Sequence, residues 1–119
     1  MPKVLIVEDN NLYFKAIKRL LEDRGIEVLR AATLEEGETL FFTNSADIDL
    51  IMMDACINSN EPNSMSLVAK ILEAGFEKPI LACSADDSHG QKLVKAGATH
   101  NPGKIDAAKM ALKLLGLIF

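Results

Sequence analysis

The 119-residue chain has little of what marks a secreted, membrane or nucleic-acid-binding protein. It holds two cysteines, Cys56 and Cys83, too few for a disulfide scaffold and without the spacing of a metal site. Both are expected near the acidic edge described below and read as reduced, structural thiols. Its two histidines, His89 and His100, have no Cys or His partner at ligand spacing, so they read as surface or loop residues. No apolar run approaches a membrane span, and Met1-Pro2-Lys3 enters a strand directly instead of a signal-peptide core. Lys and Arg form no stripe, and a formal net charge of -4 with a pI near 5.1 argues against broad contact with nucleic acid or an anionic membrane. A cytoplasmic protein without nucleic-acid or membrane partners is expected.

What is present suits one soluble domain over residues 1–119, with 49% apolar and 25% charged residues and enough length to bury a core without a disulfide or metal. The chain is organised around Asp49-Leu50-Ile51-Met52-Met53-Asp54, a short apolar run that ends on a carboxylate. Such a run reads as a parallel strand covered on both faces, with its last residue delivered to the carboxyl edge of the sheet. Val4-Leu5-Ile6-Val7 ends in the same way, on Glu8-Asp9. Ligands of open α/β sheets sit beyond the carboxyl ends of the strands, so two apolar strands that each end in acid propose one acidic site.

Between these strands, Asp9 or Asn10 can cap a helix that places Tyr13, Phe14, Ile17, Leu20 and Leu21 on one face, leaves Lys15, Lys18 and Arg19 outside, and stops at Gly25. Ile26 to Ala31 reads as a second strand, and Thr33-Leu34-Glu35-Glu36 as a capping box opening a helix to about Asn44. After Asp54, residues Ala55 to Ser64 are rich in turn formers and read as a long loop beside the site. A third helix carries Leu67, Val68, Ile71 and Leu72 to Gly75; Ile80 to Cys83 forms a fourth strand delivering Ser84 to the same edge. Asp86, Asp87 or Ser88 caps a fourth helix with Leu93 and Val94, ending at Gly97. A short fifth strand around Ala98 to His100 leads through Asn101-Pro102-Gly103 to Lys104, and a last helix runs from Asp106 to Leu115. Right-handed crossovers make these five strand–helix repeats a doubly wound parallel sheet with helices on both faces.

Carboxylates from the first and third strands repel one another and are tolerated where a divalent cation compensates them; oxygen ligands with open water positions suit magnesium better than zinc. Ser84 adds a hydroxyl and Lys104 a point charge. Together these are parts for handling a phosphoryl group: a carboxylate nucleophile, a metal on the developing charge, and a cation and hydroxyl on the remaining oxygens. Taken singly, Glu8 and Asp9 also read as helix-capping acids, Ser84 as a turn residue, Lys104 as a solvated charge and Asp54 as a strand-end acid.

Four segments, Val4-Leu5-Ile6-Val7-Glu8-Asp9-Asn10, Asp49 to Asp54, Pro79-Ile80-Leu81-Ala82-Cys83-Ser84-Ala85, and Ala96-Gly97-Ala98 followed by Lys104, resemble in order and spacing the receiver domain of response regulators, the phosphoacceptor module of two-component signalling. The resemblance covers essentially the whole chain. It implies a flavodoxin-like fold, a five-stranded sheet in the order 2-1-3-4-5 with five helices, that brings Glu8, Asp9 and Asp54 together. It further implies that Asp54 accepts a phosphoryl group from a histidine kinase or phosphotransfer protein. Mg2+ would be held by Asp9, Asp54 and the backbone carbonyl of Cys56, with Glu8 acting through water. Ser84 and Lys104 would bind phosphoryl oxygens, and added charge would bias the surface around the fourth helix, fifth strand and fifth helix toward a downstream protein target.

The chain departs from the family pattern at four places. Asn58 stands where a proline is usual four residues after the acceptor, and the loop to the third helix is about two residues longer and without glycine. Both bear on loop geometry, metal affinity and phosphoryl lifetime. Asn101 occupies the position of the strand-five aromatic switch, and Ile105 follows Lys104 in place of proline, which removes the reason for a cis peptide there. A phosphorylatable receiver that is not an enzyme beyond its own phosphorylation and dephosphorylation is the leading expectation, as a stand-alone relay or an excised receiver. The alternatives are a receiver-like module that works without phosphorylation and a small Mg-dependent phosphotransferase. The apolar tail Leu117-Ile118-Phe119 is expected to pack back on the domain.

Overall fold

A computed structural model describes residues 1–119. Its elements alternate in the expected order: β1 Lys3–Val7, α1 Asn11–Glu22, β2 Glu27–Ala31, α2 Leu34–Asn44, β3 Leu50–Met53, α3 Met65–Glu73, β4 Ile80–Ala82, α4 Asp87–Ala96 and α5 Gly103–Leu114. The strands pair in parallel in the order β2-β1-β3-β4. Successive side chains of a strand point to opposite faces, and these strands are apolar at nearly every position, so each face receives a full set. Leu5, Val7, Ile51, Met53, Ile80 and Ala82 join Phe41, Leu67, Val68, Ile71 and Leu93 from α2, α3 and α4 in one core. Val4, Ile6, Leu50, Met52, Leu81 and Cys83 join Phe14, Ile17 and Leu21 of α1 and Ala107, Ala108, Ala111 and Leu112 of α5 in the other.

The expectation of five strands is corrected: the sheet has four. The segment expected as the fifth strand touches β4 through one bridge, Leu81 to His100. Thr99 explains why it goes no further on one side, since its side-chain hydroxyl, not a backbone carbonyl, accepts the Ile80 N–H at 2.9 Å. On the other side Pro102 has no N–H, and Gly103, at φ 77°, turns the chain into α5 three residues before the expected start at Asp106. Lys104 therefore belongs to the first turn of α5.

The helix ends follow local chemistry. Asn10 is the α1 cap, its Oδ1 accepting the Tyr13 N–H at 2.9 Å, and Asp86 caps α4 by accepting the Ser88 N–H at 2.8 Å. Thr33 accepts the Glu36 N–H at 3.1 Å, the one half of the expected capping box that forms. Leu20 and Val94, placed inward from periodicity, face solvent at the margin of their helices, and Leu72 is a partly exposed residue lying over Gly97. In the tail, Leu117 and Ile118 pack against the α1–α5 core while Phe119 is exposed. No helix is long and apolar enough to cross a membrane.

Candidate functional site

Because β1 and β3 are neighbours, the residues that follow them meet. The ladder continues one step beyond each strand, with Asp54 N–H donating to Val7 O at 3.0 Å and Glu8 N–H to Ala31 O at 2.9 Å, so the backbone that carries both acids is held by the sheet. Carboxylate oxygens of Glu8, Asp9 and Asp54 lie within 4.8 Å of one another. Glu8 is 1% exposed and Asp54 6%, while Asp9 is half-buried.

Two acids this deeply buried need compensation, and the chain supplies one cation. Lys104 Nζ lies 3.0 Å from Glu8 Oε1 and 3.6 Å from Asp54 Oδ2. Its ammonium sits 4.7 Å from the centre of the Tyr13 ring, and the Tyr13 hydroxyl donates to the Lys104 carbonyl at 2.7 Å, so one side chain of α1 grips both ends of this lysine. Burial lowers the lysine's proton affinity, but the Glu8 and Asp54 carboxylates outweigh it and raise the pKa above the usual value. One positive charge does not neutralise the cluster: burial, then the Asp54 carboxyl, push Glu8 up to about 7. Burial also disfavours the Asp9 anion, yet the Asn58 backbone N–H, Glu8 and Lys104 outweigh it and hold Asp9 below the usual carboxylate range.

The remaining expected site residues lie at the same edge. Ser84 is buried just beyond β4, where Cys83 N–H donates to Met53 O at 2.9 Å; its Oγ accepts the Asp86 N–H at 3.2 Å and bonds to none of the acids. The Cys56 backbone N–H is 3.4 Å from Asp54 Oδ1, which brings that residue's main chain beside the acid cluster. Its thiol is 3.6 Å from His89 Nδ1, and burial together with the neighbouring carboxylates raises its pKa, consistent with a neutral thiol. Cys83 is buried, and both cysteines are free. The sequence had offered Tyr13 as a core-facing residue of α1, Asn58 only as a departure in the loop after Asp54, and His89 as a surface or loop residue; their contacts here depend on which loops meet, and no local pattern encodes that.

The residues fit a hard divalent cation. All three acids offer oxygen donors, and Glu8 Oε1 is a buried atom with no hydrogen-bond partner, 3.0 Å from the Lys104 ammonium.

Residues 4–101 match the family model of the response regulator receiver domain. The chain belongs to that family. The receiver is 29% identical over 91 residues to the transcriptional regulatory protein DltR of Streptococcus agalactiae serotype III, a match covering 76% of this chain and 39% of DltR. The match thus spans about two fifths of the length of that curated relative. A two-component response regulator from Clostridium difficile superposes with a TM-score of 0.81 at 21% identity, over 98% of this chain and 97% of its own. A response regulator receiver domain protein from Clostridium thermocellum gives 0.71 at 26% identity, over 97% and 99%. Receivers are signalling modules of two-component systems that meet histidine kinases and downstream effectors. DltR is a transcriptional regulatory protein, so the expected absence of a nucleic-acid partner finds no support in the comparison.

Proposed function

We propose that this receiver is phosphorylated on Asp54 in a Mg2+-dependent reaction and signals by protein contact. The observation that carries the reading is the buried Asp54 carboxylate, 3.6 Å from the Lys104 ammonium and within 4.8 Å of Glu8 and Asp9. An Asp54 oxygen attacks phosphorus, forming the O–P bond as the P–N bond to the donor imidazole breaks; the imidazole leaves with the electron pair and takes up a proton. Asp9, Asp54 and the Cys56 carbonyl would hold the metal, with Glu8 acting through water. Magnesium, when bound, supplies the positive charge that offsets the acids and the developing phosphoryl charge. Lys104 pairs with a phosphoryl oxygen, and Ser84 exchanges its Asp86 bond for another. The donor is a histidine kinase or phosphotransfer protein, and the output a protein partner.

A receiver-like module that works without phosphorylation is favoured by one feature. Asn101, in the place of the aromatic switch, lies against Gly90 of α4 and donates to Asp87 Oδ1 at 3.1 Å, which fixes that face in the unmodified protein. Against a small-molecule phosphotransferase stands the loop after Asp54, the one candidate cap, which bonds to its own base: Asn63 Oδ1 accepts from Ile57 N–H and Asn63 Nδ2 donates to Ile57 O, both at 2.8 Å. Intact-mass measurement after incubation with Mg2+ and acetyl phosphate tests the main reading. One phosphoryl adduct is expected, absent with chelator and absent from a folded Asp54→Asn variant; an adduct that persists in the variant moves the acceptor elsewhere.

A further inference from the structure

The loop between β3 and α3 is longer than the family pattern, and its base is built with care. Ser64 Oγ donates to Asp54 O at 2.7 Å, Asn63 N–H donates to Ala55 O at 2.9 Å, and the two Asn63–Ile57 bonds close residues 57–63 into a ring anchored by buried Ile57. That ring leaves Asn58 at the rim of the acid cluster, with φ 55°, the one non-glycine residue in the left-handed region. Asparagine tolerates that conformation far better than a β-branched residue does, and proline cannot adopt it. The consequence is directional. The Asn58 N–H donates to Asp9 Oδ2 at 2.7 Å, and its side-chain amide donates to Ala32 O at 3.3 Å, so one residue joins the loops after β1, β2 and β3.

We propose that Asn58 is a positioning residue for the metal-binding edge of this receiver. Its left-handed backbone presents the N–H to one oxygen of Asp9, holds that carboxylate in orientation, and leaves the other oxygen to the cation. The proposal rests on the reading of Glu8, Asp9 and Asp54 as a Mg2+ site. Asp9 follows a strand end and is only half-buried, so without the strap its side chain keeps rotamers that turn from the cluster. In the family's usual proline this N–H does not exist; here the longer loop and asparagine supply the order by a hydrogen bond.

The test separates backbone from side chain. Asn58→Gly removes the amide side chain but keeps the N–H and permits positive φ; Asn58→Val keeps the N–H but excludes that conformation. Calorimetric titration with Mg2+ alone should give Asn58→Gly a Kd within about threefold of the unmodified protein and Asn58→Val a Kd weaker by about tenfold or more, a gap of about 1.4 kcal/mol per factor of ten. Equal affinity in both variants overturns the proposal, as does equal loss in both. Asn58→Gly should melt close to the parent, while Asn58→Val, strained at positive φ, should melt lower, so both are titrated at a temperature where circular dichroism shows them fully folded. A second readout is independent of any variant: the amide of residue 58 should show a through-hydrogen-bond NMR coupling to the Asp9 carboxyl carbon, and its absence overturns the proposal. If the unmodified protein binds no Mg2+ while the coupling is present, the strap exists but the metal-site reading fails, and the inference falls with it.

Discussion

A glutamate with 1% of its surface exposed, beside a second buried acid, resists ionisation unless a cation stands against it, and this sets the behaviour of the metal-free protein. The Glu8 pKa is raised to about 7 from an unfolded value near 4.5. Between those values the folded state keeps a proton that the unfolded state has lost, so stability falls as pH rises from about 4.5 to 7 and levels off above. Melting temperatures measured in chelator should decline through that window. Glu8→Gln should abolish the decline, and adding Mg2+ at pH 7.5 should restore stability to the unmodified protein; a melting temperature flat with pH would contradict the burial argument. At this scale the sequence was informative where a residue closed a strand. Glu8, Asp9, Asp54 and Ser84 could be placed because an apolar run ended on each side chain or the one before it. Tyr13 and Asn58 could not, because the grip on Lys104 and the strap on Asp9 join residues 91 and 49 positions apart.

Among the elements, α4 carries a glycine in mid-helix that local propensity opposes by about 1 kcal/mol. The structure gives the reason for Gly90: a Cβ there would lie 2.1 Å from Asn101 Oδ1. Asn101 occupies the space and donates to Asp87 Oδ1, locking the segment before α5 to the first turn of α4. Gly90→Ala should gain about 1 kcal/mol of helix propensity and lose this exposed bond, worth about 0.5–1.5 kcal/mol, so the two nearly cancel and it should be no more stable than the parent. In the Asn101→Ala background the same change should be stabilising, so a denaturant double-mutant cycle gives a large coupling; Gly90→Ala more stable than the parent would contradict it. The element order and the strand polarity were legible from apolar runs and turn residues. The fifth strand was overread, because Ala98-Thr99-His100 has strand composition while the Thr99 hydroxyl and Pro102 cut its ladder short. Leu20 and Val94 were overread for a related reason: periodicity marks a helical stripe but not how wide a neighbour covers it.

Over the whole molecule, two cores on opposite faces of one sheet hold the acid cluster on a rigid edge, since the strands that carry Glu8 and Asp54 are buried on both sides. That arrangement separates the fold from the chemistry: the acids end the strands and take no part in either core, so Asp54→Asn should leave the fold intact. Under the proposed function, the flanking surface of α4, the Asn101 segment and α5 would receive the change at the cluster through Lys104 in the first turn of α5 and through Ser84, whose Oγ accepts the N–H of Asp86, the α4 cap. The central claim is that Asp54 itself carries the phosphoryl group. Its most direct measurement is borohydride reduction of protein treated with Mg2+ and acetyl phosphate, followed by peptide mapping, since reduction of an aspartyl phosphate leaves homoserine. Homoserine at position 54 alone is the predicted result; a reduced residue at any other acid, or none in a protein that binds Mg2+, would contradict the account.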